Sequence, residues 1–144
     1  NEYQEIHDFF RYMIVFRKAH PIIRRRTNGA ACGFPGISIH NGYPWNAGSD
    51  NNTRMIGVMY AGRNETDTDD DIVFLAINAY WQPLTQQLPD LPEGKYWKVC
   101  ANTNLPYKDG EEIQSMTTFL GDHTIQVPDR TVIVLTAENR SEVC

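Results

Sequence analysis

At 144 residues the chain has the length of one domain, enough to bury roughly two-thirds of the surface its unfolded form exposes. Its 41% apolar and 22% charged content is ordinary for a globular fold. A net charge of −5 excludes the broad basic face that nucleic acid or an anionic membrane surface requires, and no stretch approaches the roughly 20 apolar residues of a membrane span.

Residues 2–19 read as a helix. Tyr3, Ile6, Phe9, Phe10, Met13, Ile14 and Phe16 recur at helical spacing, with Glu2 and Glu5 early and Arg17 and Lys18 late. That charge order suits the helix dipole, and His20-Pro21 stops the helix, because the residue before proline is pushed out of the helical region. The apolar positions cover more than one stripe, and a helix apolar over most of its circumference is buried on several sides. A partner outside this sequence is therefore expected to cover part of it, or a second copy of the chain, through homodimerisation. Since the sequence enters this helix directly from Asn1, the natural N-terminus is expected to lie upstream.

Beyond Pro21 the period changes. Residues 37–40, 55–60, 72–78, 84–88, 96–101, 124–127 and 131–136 are short β-prone runs separated by turn material, notably Asn41-Gly42, residues 61–71, residues 89–94 and Pro128-Asp129. About seven strands at this spacing predict a mainly β fold, an antiparallel sandwich or open barrel preceded by one long α-helix. In the last run Val132 and Val134 alternate with Ile133 and Leu135, which predicts a strand buried on both faces.

Few residues carry recognisable chemistry. Cys32, Cys100 and Cys144 are widely spaced and form no Cys-x-x-Cys pair, so they read as free thiols rather than a zinc site or a disulfide framework. The acidic cluster Glu65, Asp67, Asp69, Asp70 and Asp71 lacks the glycine and distal glutamate of a calcium loop and reads as a solvated hairpin tip. Arg24, Arg25 and Arg26 read as capping and inter-domain ion-pair residues rather than a phosphate site. His7, His20, His40 and His123 are scattered and make no metal or nucleophile–base motif. No catalytic, cofactor or metal residue is assigned. Sequons begin at Asn51, Asn64 and Asn139 in polar loop or tail sequence; in a cytoplasm they are inert, and they leave a secreted origin open.

The aromatics remain. Trp97, in mid-strand, reads as core. Trp45, Tyr80 and Trp81 sit at loop and turn positions, where an indole packs against the helix or a neighbour, or stacks on a sugar ring. These three are the candidate sugar contacts.

Several segments in order resemble one family. Phe16-Arg17-Lys18-Ala19-His20-Pro21-Ile22-Ile23-Arg24 resembles the "RRxHPALR" segment that closes the last barrel helix of bacterial glycogen-debranching enzymes and isoamylases of glycoside hydrolase family 13. Ile37 to Gly42 resembles the "ISWHG" strand that follows, and Trp45 with Thr53 to Met59 resembles the tryptophan and "SRSLAF" strand. Asp70 to Pro83 resembles "DDxLLVLLNAHWEPV"; Leu88-Pro89, Trp97-Lys98-Val99 and Val127 to Leu135 resemble the closing strands. Tyr80 stands where the family more often has His, and Ile39 where it more often has Trp.

The resemblance covers nearly the whole chain and implies a parent with a (β/α)8 barrel that hydrolyses α-1,6 branch linkages in glycogen-like glucans with retention of configuration. Residues 1–24 would end that barrel and residues 25–144 would form the C-terminal all-β accessory domain. The family's catalytic carboxylates would precede Asn1, so the parent is an enzyme while this piece alone is not. The implied partners are the chain's own barrel, reached through the 2–19 helix, and the α-glucan substrate; the implied compartment is the bacterial cytoplasm, without cofactor, nucleic acid or membrane. The alternative is a glucan-binding sandwich that stacks maltooligosaccharide on Trp81 and Trp45. An immunoglobulin-like interaction domain would leave the helix and the His-Pro-Ile-Ile-Arg link unexplained.

Overall fold

The structure is a computed structural model that describes residues 2–23, 29–30, 32–41, 45, 55–63, 70–103, 117, 119–120 and 123–139. Among these residues it is mainly β: seven antiparallel strands in two sheets, preceded by one α-helix. The helix, α1, spans Glu2–Ala19. Its last bond runs from the His20 N–H to the Phe16 carbonyl at 3.1 Å. Pro21 then opens a 3-10 turn, Pro21–Ile23, which the Ile23 N–H closes onto the His20 carbonyl at 3.1 Å.

The strands are β1 (Ile37–His40), β2 (Met55–Arg63), β3 (Asp70–Asn78), β4 (Leu84–Gln87), β5 (Lys95–Asn102), β6 (Thr124–Val127) and β7 (Thr131–Asn139). The large sheet has the order β1-β2-β3-β7-β5, and β4 pairs with β6 to form the second sheet. The β2–β3 ladder runs further than its turn-like sequence predicts, reaching Arg63 opposite Asp70. Ala61 and Ile72 pair across it and are fully buried, so burial holds the ladder together where composition alone reads as turn.

Period-two alternation gives the large sheet two different faces. The inner face carries Met55, Met59 and Ala61 of β2, Ile72, Phe74 and Ala76 of β3, Ile133, Leu135 and Ala137 of β7, and Trp97 and Val99 of β5. Leu88, Ile125 and Val127, from the second sheet and its flank, close over them. Trp97 lies in this core as its mid-strand position predicts, with its indole N–H donating to the Pro89 carbonyl at 3.0 Å and its ring edge-on to Phe74.

On the outer face, Val73, Val134 and Ala101 form a second cluster with Phe16 and Ile22. Phe9 and Met13 pack against it with Phe16, so α1 uses its i, i+4, i+7 face here. Burying Phe16 and Ile22 contributes about 1.5–3 kcal/mol each. β7 is therefore buried on both faces, with Ile133 and Leu135 inward and Val134 and Thr136 toward the helix side. A bulge between Val99 and Ala101 shifts the β5–β7 register, and the Cys100 carbonyl beside it accepts a hydrogen bond from the Tyr12 hydroxyl at 2.8 Å.

The acidic cluster needs one correction. Asp70 and Asp71 are the first residues of β3 and are half-buried rather than a solvated tip. Both Asp71 oxygens face His20 Nδ1, at 2.8 and 2.9 Å, and Asp70 Oδ2 accepts the Cys32 N–H at 3.0 Å. Adjacent carboxylates thus tie down two segments that precede β1. Glu65, Asp67 and Asp69 lie outside the described residues, as do Arg24 to Arg26 and Cys144. Cys32 and Cys100 are free thiols. Among the described residues no helix is long and apolar enough to cross a membrane.

Candidate functional site

Two turns leave the same end of the large sheet. β1 ends at His40 opposite Gly57, and β3 ends at Asn78 opposite Met55 on one side and Thr131 on the other. Since β1 and β3 run in the same direction, Trp45 follows the first and Trp81 the second at one end of the sandwich. All three aromatic candidates therefore belong to this end.

Asn78 builds the second turn. Its side chain is buried, and its Oδ1 accepts the Tyr80 N–H at 2.9 Å, the local bond by which asparagine starts a turn. Its Nδ2 lies 3.0 Å from the Gln82 carbonyl, 3.1 Å from that of Val127 and 3.0 Å from that of Pro128. The Arg130 N–H donates to the Tyr80 carbonyl at 3.0 Å and completes the attachment to the β6–β7 connection. The turn presents Trp81, 62% exposed, with its ring edge-on to a half-buried Tyr80.

His40 builds the first. Ile37 and Ile39 precede it in the strand, which turns both isoleucines outward and His40 inward, leaving the histidine 1% exposed. Its Nδ1 accepts the Trp45 N–H at 2.6 Å, which leaves the ring proton on Nε2, 2.8 Å from Ser38 Oγ. Trp45 adopts φ +63, the left-handed region that a bulky residue enters only when its surroundings hold it there. Its ring meets Phe34 edge-on at 5.2 Å and the His40 imidazole at 5.0 Å, and it is 50% exposed. Burial pushes the His40 pKa below its ordinary value. The ring partners of Trp45 are thus Phe34 and His40, not α1, which lies across the opposite face of the sheet.

What this end offers is two exposed indole faces on turns braced from below by a buried amide and a buried imidazole. Such faces stack on flat, weakly polar rings. Among the described residues no three His, Cys, Asp or Glu gather in a metal-holding group. Burial pushes the Cys100 thiol up, away from the reactive thiolate. The bracing residues His40 and Asn78 were not singled out by sequence. The signal for Asn78 was its place between a strand and an aromatic turn; for His40, the strand pattern pointed the other way. No protein-family model and no curated protein matches this chain.

Proposed function

We propose that the chain is the C-terminal part of a glycogen-debranching enzyme of glycoside hydrolase family 13, an α-1,6-glucan hydrolase of the bacterial cytoplasm. In this reading α1 closes the catalytic barrel and the β-domain supports it. One observation carries the proposal beyond the sequence resemblance. The outer face of β1 and β2 leaves Ile37, Ile39 and Ile56 in solvent, and the free side of α1 leaves Ile6, Phe10, Ile14 and Val15 there. Apolar surface of that kind marks an interface. β1 turns its isoleucines toward it while directing Ser38 and His40 to the core, which makes sense when a further layer covers the outer face. The barrel is that layer, and no residue of this chain takes a catalytic role.

Recovering the native protein with an antibody against this chain tests the reading. The recovered protein is expected to be far larger than 16.5 kDa and to release linear chains from pullulan or glycogen. A native protein of this chain's own mass, or a larger one inert on both glucans, overturns it.

A second reading, a glucan-binding sandwich, is favoured by the exposure of both Trp45 and Trp81 at one end of the domain. Titration with maltoheptaose, read by tryptophan fluorescence, decides it. Saturable binding lost in Trp81→Ala makes the aromatic end a substrate-holding surface; no binding at millimolar ligand removes the reading.

A further inference from the structure

We propose that His40 is a proton-operated clasp: neutral, it holds Trp45 in its left-handed turn with the indole presented to solvent, and protonated, it lets that turn go. The argument starts from the two ring nitrogens. A backbone N–H only donates, so the 2.6 Å contact from Trp45 requires a bare lone pair on His40 Nδ1. Nε2 therefore carries the single proton and gives it to Ser38 Oγ at 2.8 Å. A second proton has only Nδ1 to occupy. There it would point at the Trp45 N–H, turning a donor–acceptor pair into two opposed donors.

Among the described residues, none of the groups packed against the ring would welcome that charge. Ser38 faces the imidazole from β1, Phe74 from β3 and Trp45 from the turn above, and Gly57 of β2 lies beside the His40 β-carbon. None of these four is titratable in this range or charged. A buried cation without a counter-ion is resolved by moving the group toward water. The half-exposed Trp45 indole lies against the imidazole, and the left-handed backbone of Trp45 relaxes once the clasp bond is lost. The device needs no assumption about what the indole binds, so it stands or falls apart from the glucan and barrel readings.

Nuclear magnetic resonance on the 15N-labelled chain provides the test. Long-range correlations of the His40 ring at pH 8 are expected to show Nδ1 bare and Nε2 protonated. On lowering the pH, the Trp45 amide and indole resonances should shift with one midpoint shared with His40, below the ordinary histidine value of about 6.5. The Trp97 indole, tied to the Pro89 carbonyl in the core, should stay in place and so separates release of the turn from unfolding. In His40→Asn the side-chain oxygen keeps an acceptor near the Nδ1 position but cannot titrate, and the Trp45 shift with pH should vanish. A protonated Nδ1 at pH 8, a Trp45 amide indifferent to His40 titration, or a Trp45 transition that survives His40→Asn overturns the proposal. Where His40→Asn does not fold, the wild-type titration decides alone.

Discussion

Asn78 shows how much one side chain settles at the end of this sandwich. Its amide faces three carbonyls from two separate segments while its oxygen starts the aromatic turn, all without contact with water. Removing it leaves a buried N–H and several carbonyls short of a partner, and each such group costs about 1–3 kcal/mol. Asn78→Ala is expected to lower unfolding stability by about 2–4 kcal/mol, read as a shift in denaturant midpoint at unchanged slope. Asn78→Asp should be no milder, since it sets a carboxylate among three carbonyl oxygens. An effect below half a kilocalorie in both would show that the turn holds without this residue. Half of this role was legible beforehand: asparagine between a strand and an aromatic turn announces a local cap. The bonds to Val127 and Pro128 were not, because nothing in residues 78–82 names partners some fifty positions away. Gly57 was equally silent. A β-carbon there would sit 2.5 Å from the Phe74 ring, a constraint that exists only once β2 and β3 are in register.

Among the elements, α1 is the one whose surroundings are incomplete. The sheet takes its Phe9, Met13 and Phe16 side, and the His20–Asp71 contact fixes its end to the start of β3. The opposite side stays open, with Phe10 at 65% exposure. Held by one face, the isolated chain is expected either to self-associate through that surface or to leave α1 partly mobile. Sedimentation at several concentrations and amide hydrogen exchange across residues 2–19 read both outcomes. A monodisperse monomer with α1 fully protected would show that no further layer is needed. The helix and its stop at His20-Pro21 were legible from periodicity and proline chemistry. Which side meets the sheet was not, because apolar residues occur on several sides and only the positions of Val73, Ala101 and Val134 choose among them. β1 defeated pattern reading more fully. Apolar side chains alone would turn Ile37 and Ile39 toward a core, whereas the strand buries His40, half-buries Ser38 and gives its isoleucines to the other face.

For the whole molecule, all seven strand positions and the mainly β class followed from short apolar runs and turn residues, with the ladders extending past the runs where buried pairs carried them. The strand order did not, since pairing depends on long-range packing that local pattern does not encode. That order places β7 between β3 and β5, so that Phe74 pairs with Leu135 and Val99 pairs with the same residue from the other side. An interior strand of the large sheet is thus the last of its five in chain order. Until residues 131–139 have left the ribosome, β3 and β5 lack the strand that joins them, and Ile133 and Leu135 are missing from the core around Phe74, Trp97 and Val99. Such distant pairings fold slowly, because the loop must be closed before the contacts form. Assembly of the large sheet therefore waits for β7, and until it arrives the facing edges of β3 and β5 stay open to other chains.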